Sequence, residues 1–257
     1  MTVTPAVFNF NVYRNGDVRQ DVIINVDGVI LNLAGYIAQM EVRPSLTDSA
    51  TPLININSTA PTTNLSQIYI TAATYATGVL TSSANYGTSD TVTIGTRVYH
   101  FVASPAVDGD VRIAGSESAS ITNLANAINN SGGIPGTDYV VTAADPNVTA
   151  VAAAHTLTVT ALNTLTAAQA NSVATTDAMT TGNGVWGHVT LTGGVDSKLQ
   201  IFIDDRDMTA NFPLATVKTG FITYVYDLLL TAPGGEPSGD VDPYLTGNFV
   251  VNNGVTR

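Results

Sequence analysis

The sequence predicts a mainly β protein, an antiparallel β-sandwich interrupted by an inserted α+β domain with one main helix. Three observations carry this. The run Gly220–Thr231 is long, rich in β-formers and closed by Pro233-Gly234-Gly235. At a period of two it places Ile222, Tyr224, Tyr226, Leu228 and Leu230 on one apolar face and Phe221, Thr223, Val225, Asp227 and Leu229 on a mixed one. Residues 1–77 show a turn signal about every ten residues, the rhythm of an all-β sandwich. Between 78 and 198 the texture changes, and a helical pattern appears at Ser118–Asn130.

In chain order, Phe8, Phe10 and Val12 alternate with Asn9, Asn11 and Tyr13 before the Asn15-Gly16 turn. A second strand, Asp21–Val26, meets a turn at Asp27-Gly28. The apolar run Val29–Leu33 then leads through Gly35 into Tyr36–Arg43. There Tyr36, Ala38, Met40 and Val42 face inward, and Pro44 ends the strand because it removes a ladder donor. Short strands are expected at Leu53–Ile56 and Ile68–Thr71. In the insert, Thr91–Ile94 and Arg97–Val102 flank Gly95-Thr96 as a tight hairpin. Ile121, Leu124, Ala125 and Ile128 share one face of the helix, Ser116 or Ser118 caps its start, and Gly132-Gly133 supplies the left-handed residue that ends it. Strands follow at Tyr139–Ala143, Thr156–Ala161 and Val185–Leu191. From Lys198 the all-β texture returns, with Leu199–Ile203, an acidic loop, the Gly220–Thr231 strand and Phe249–Val251. The expected division is a discontinuous sandwich of 1–77 and 199–257 around an insert of 78–198, since exposed loops accept insertions where the two crossing points lie close together.

Composition bounds the function. A chain of 257 residues builds one large core or two modest ones. Charged residues are only 11%, against roughly 25% in an ordinary soluble domain, so Thr, Asn, Ser and Gly supply the polarity and leave surface for other subunits. A net charge of −11 argues against nucleic-acid binding, which needs clustered Lys and Arg. There is no cysteine, which excludes disulfides, thiol nucleophiles and cysteine-held metals. The N-terminus lacks a basic region followed by an apolar one, and no apolar run reaches the ~20 residues of a membrane span. The expectation is a soluble protein, made and assembled in the cytoplasm without export or membrane contact.

The outer part resembles the immunoglobulin-like N-terminal module of tailed-phage upper baseplate proteins. The residues that carry this are Phe10–Arg14 with Gly16-Asp17, Asp27-Gly28, Leu33–Tyr36, Met40–Arg43, Tyr224–Leu228, Gly247–Val251 and Val255–Arg257, covering most of 6–77 and 199–257. The insert is similar to another module that recurs in phage structural proteins, through Val92–Gly95, Tyr99–Phe101, Asn123–Asn129 and Leu191–Asp196. That family commonly has a Gly-rich segment after its late strand, where this chain has Asn163–Ala170. The resemblance implies an immunoglobulin-like sandwich and a virion building block whose partners are other phage structural proteins.

Candidate chemistry is sparse. His100, His155 and His188 fall on predicted strands, scattered in sequence, and no Gly-x-Ser-x-Gly elbow or paired-His zinc spacing accompanies them. Asp204-Asp205-Arg206-Asp207, Asp108-Gly109-Asp110 and Asp240-Val241-Asp242 offer oxygens for calcium, but none has a calcium-loop spacing, and solvated loop acids are the plainer reading. Asn57, Asn64, Asn129 and Asn147 open glycosylation sequons of the kind chance supplies in an Asn/Thr-rich chain. No catalytic residue, cofactor site or metal site is therefore assigned. The expected function is a non-enzymatic virion component that attaches or bridges subunits as a homo-oligomer, on the tail, baseplate or fibre. A head decoration protein is the alternative. So is a receptor- or glycan-binding module, in which tyrosines and Trp186 stack on a host surface glycan.

Overall fold

A computed structural model describes residues 6–45, 51–59, 66–180, 183–212, 220–234 and 245–252. The chain begins with β1 (Ala6–Val7), β2 (Phe10–Tyr13), β3 (Val18–Val22), the small hairpin of β4 (Asn25–Val26) and β5 (Val29–Ile30), β6 (Ile37–Arg43), β7 (Ile54–Asn57) and β8 (Gln67–Thr71). Its middle holds β9 (Thr77–Ser82), β10 (Thr91–Ile94), β11 (Arg97–Val102), β12 (Asp110–Arg112), α1 (Glu117–Asn129), β13 (Tyr139–Val140), β14 (Val148–Ala153), β15 (Thr156–Ala161), α2 (Ala167–Asn171), β16 (Thr175–Ala178) and β17 (Gly184–Trp186). It closes with β18 (Lys198–Ile203), α3 (Asp205–Asn211), β19 (Phe221–Thr231) and β20 (Leu245–Asn252). No helix among the described residues is long and apolar enough to cross a membrane.

The fold is mainly β and divides into two compact units. One comprises Met1–Ile24, Leu31–Ala72 and Ser197–Arg257, the other Asn25–Ile30 and Ala73–Asp196. The division therefore falls at Ala72/Ala73 and Asp196/Ser197. A cut at Thr77/Gly78 would run through β9, and Lys198 opens β18.

The first unit is a sandwich. Its larger sheet has the order β1-β20-β19-β6-β7, with β2 also on β20, and its smaller sheet is β3-β18-β8. The long apolar run is central: β19 pairs with both β20 and β6. Its alternation buries Tyr224, Tyr226, Leu228 and Leu230 in a core shared with Phe10, Met40 and Phe249 of the same sheet and Ile68, Leu199, Ile201 and Ile203 of the other. The sheet is not wholly antiparallel, because β1 and β2 run parallel to β20. A tight hairpin imposes antiparallel pairing only on the strands it joins, and these strands lie near the two ends of the chain. Expected Asp21–Val26 is split between β3 and β4, and Phe8 precedes β2.

In the second unit a five-stranded sheet, β13-β12-β11-β10-β16, and a four-stranded sheet, β14-β15-β9-β17, share a core with α1. Ile121, Leu124, Ala125 and Ile128 are its buried helical stripe. Ser116 caps the helix by accepting from the Ala119 N–H, while Asn130, at φ 46° and ψ 42°, takes the left-handed position assigned above to Gly132-Gly133. Two short helices were not expected. Thr166 and Gln169 form a reciprocal capping box that starts α2 in the Thr/Ala-rich stretch, and Asp204 caps α3 in the acidic loop.

Candidate interaction surface

The three histidines singled out in the sequence are all exposed and lie in different segments. His100 is exposed on β11. His155 lies in the turn between β14 and β15 rather than on a strand, with Nδ1 2.9 Å from Glu117 Oε2. His188 follows β17 and is also exposed.

The carboxylates serve mainly as backbone acceptors. Asp108 Oδ1 accepts from the Thr142 N–H at 2.7 Å, whereas Asp110 Oδ2 accepts from the Ala106 and Val107 N–H groups at 2.8 and 2.9 Å. Gly109 between them must be glycine: its φ is +91°, and a Cβ would sit 2.6 Å from the Val98 carbonyl oxygen. Asp204 accepts from the Arg206 N–H at 3.0 Å, and Asp207 accepts from Ser66. Asp204 and Asp205 are joined by Asp17, a residue the sequence reading left out, with ligand atoms within 4.8 Å of one another. Arg206 bonds Asp204 and holds its carboxyl below the ordinary value, and Arg19 lies 3.6 Å from Asp17, so two arginines offset part of the charge of these three carboxylates. Asp240 and Asp242 lie outside the described residues, as do Asn64 and Val255–Arg257.

The aromatic residues divide. Trp186 is 8% exposed and its indole N–H donates to the Thr176 carbonyl at 3.1 Å, so it packs rather than stacks on ligand. Tyr69 on β8 is 47% exposed beside a groove of about 430 Å³ in the first unit, lined also by Tyr36, Ser58, Gln67 and Ile70.

The most distinctive surface is the outer face of the four-stranded sheet. Alternation sends Leu157, Val159 and Ala161 of β15 into the core and Thr156, Thr158 and Thr160 outward. Its neighbours alternate likewise, exposing Thr149, Val151 and Ala153 on β14, Thr77, Val79 and Thr81 on β9, and Val185 on β17. Register aligns them across the sheet. Val151, Thr158 and Val79 form the central row, and Ala153, Thr156, Thr81 and Val185 the next. Val151 is 68%, Val185 64% and Val79 39% exposed. Not one of these residues is charged, on a chain of net charge −11. The polar groups of this face are threonine hydroxyls, with no charged side chain among them. What it offers is uncharged area, largely of β-branched Thr and Val side chains.

Comparisons with protein-family models, curated proteins and solved structures find no match to this chain.

Proposed function

We propose that this chain is a non-enzymatic structural component of a tailed-phage virion that attaches or bridges other virion subunits as a tail, baseplate or fibre adaptor. The observation that carries the reading is the uncharged Thr/Val face of the four-stranded sheet, a surface suited to burial against protein. The module resemblances of the outer part and the insert supply the virion setting. A decoration protein on the capsid exterior would use the same face, and location in the particle separates the two. Purified particles should contain this chain, and immunogold labelling should mark the tail end. Labelling on the head would move the protein to the capsid. Particles that lack the chain, made in cells that contain it, would defeat the virion reading.

A second reading has its own observation. The Tyr36/Tyr69 groove joins aromatic surface to the neutral hydrogen-bonding groups of Ser58 and Gln67, the combination a neutral sugar needs. In that case a glycan array gives a saccharide hit that Tyr69→Ala abolishes; an empty array removes this reading.

A further inference from the structure

We propose that the outer face of the β14-β15-β9-β17 sheet pairs with the same face of a second copy of this chain. This deepens the proposed function, since it rests on reading that face as an interaction surface and names its occupant.

Charge points to this occupant. The chain carries 20 acidic and 9 basic residues, so two copies repel unless they meet through surface free of acids. The face formed by Thr149, Val151, Thr158, Val79, Thr81 and Val185 meets that condition. It also presents no carboxylate to match a basic partner, whereas an identical uncharged face opposes it without bringing like charges together. The sheet's own edge directs the contact to the face. At the β14 edge, Asn129 Oδ1 accepts from the Ala150 N–H at 2.8 Å and Asn129 Nδ2 donates to the Ala150 carbonyl at 2.7 Å. A strand added along β14 would have to displace that side chain.

The pattern is also self-complementary. Val151 and Val79 flank Thr158 on the two strands beside β15. A two-fold axis along β15, between sheets about 10 Å apart, sets Val79 of one copy over Val151 of the other, and Thr158 over its own mate. About this axis β14, β15 and β9 face their mates, and three strands about 4.8 Å apart with five residues of about 3.3 Å each give a contact on the order of 240 Å² per copy. A standard interface buries about 800 Å² per partner, so this pairing is weak alone and gains strength where it is repeated in an assembly.

Sedimentation equilibrium of the full chain over a wide concentration range tests the proposal. The average mass should rise with concentration, and added salt should strengthen association by screening the remaining acidic repulsion. Val151→Asp should weaken self-association at least about tenfold, because each new carboxylate loses its water against Val79 of the other copy and finds no partner there. Val107→Asp, at a 62% exposed position outside that sheet, should associate like the parent. Circular dichroism checks that both variants are folded. A parent chain that stays monomeric, or a folded Val151→Asp variant that associates equally well, overturns the pairing. A monomeric parent whose incorporation into particles is lost on Val151→Asp also overturns it but leaves the bridging function standing. Self-association in a chain absent from particles leaves the pairing and removes the virion function.

Discussion

Asn129, the last residue of α1, makes both edge hydrogen bonds of Ala150 on β14 through its side-chain amide, at 2.8 and 2.7 Å. It stands where another strand would stand. Ala150 is buried, so removing the amide leaves an N–H and a C=O without partner, at about 1–3 kcal/mol for each group left unsatisfied. Asn129→Ala should lower the urea midpoint accordingly and raise light scattering on standing, because the edge becomes open to strand addition. An unchanged midpoint would show that water replaces the amide without loss.

The sandwich core gives a second prediction. Tyr226 is buried on β19, and its hydroxyl donates to the Phe8 carbonyl at 2.7 Å, joining the sheet's central strand to the segment before β2. Its ring meets Phe10 edge-on with centroids 4.9 Å apart. Tyr226→Phe keeps the ring packing and should cost about 0.5–1.5 kcal/mol, the net worth of one hydrogen bond. Leu228→Ala, two residues on and fully buried, should cost roughly 2–5 kcal/mol. Thermal melts that rank these two in the opposite order would contradict the face assignment.

Two carboxylates should show opposite pH dependence. Asp227 on β19 lies directly across from Glu41 on β6. Burial raises its pKa above the ordinary 3.8, Glu41 adds to that, and Arg43 opposes it. The folded state then holds its proton to higher pH than the unfolded chain, so this group's contribution falls as pH rises from 3.8 through the raised value. Asp227→Asn should stabilise by about 0.2–1 kcal/mol at neutral pH, with the gain vanishing below that window. Asp90 is the reverse case. Burial pushes its carboxyl up, but hydrogen bonds from the Thr180 hydroxyl and the Gly87 and Thr180 N–H groups outweigh it and leave the pKa lowered. Its stabilisation is present above 3.8 and is lost as pH falls through the depressed value. Asp90→Asn turns an amide donor toward one of those donors and should cost about 1–3 kcal/mol at neutral pH. Urea titrations of both variants at neutral and acid pH supply the slopes, and slopes of the same sign would refute the assignment.

What could be read from the sequence follows the physics of each element. The period-two alternation of β19 and β15 and the i, i+3, i+4, i+7 stripe of α1 are local patterns, and the structure has all three elements. β12, with Asp110-Val111-Arg112, and β16, with Thr175-Thr176-Asp177-Ala178, are too short and polar to show a period. Two missed helices had readable start signals: Thr166 three residues before Gln169, and Asp204 before the acidic first turn of α3. The roles of the acids were not readable, because their partners are distant in sequence, as with Asp207 and Ser66 or Asp90 and Thr180. The uncharged face was hidden for the same reason. Thr156-x-Thr158-x-Thr160 is visible as a string, but only long-range register sets Val151 and Val79 beside Thr158.

The two units should be separable. Thr71 at the end of β8 and Lys198 at the start of β18 are antiparallel partners, so the chain leaves the sandwich and returns to it on adjacent strands. The Ser197 hydroxyl strengthens that junction, donating to the Thr71 carbonyl and accepting from the Leu33 N–H, both at 2.9 Å. Removing residues 73–196 and joining Ala72 to Ser197 through Asn-Gly converts β8 and β18 into a hairpin, with a turn suited to two twisted antiparallel strands. No member of the sandwich core lies within the removed segment, and every member of the other core lies between Ala76 and Leu191. Each product therefore keeps a complete apolar interior. The shortened chain should give a β-type circular dichroism spectrum and one cooperative urea transition, and the excised 73–196 segment should unfold cooperatively by itself. Loss of cooperativity in both would show that neither core closes without the other, and the boundaries at Ala72/Ala73 and Asp196/Ser197 would not mark independent folding units.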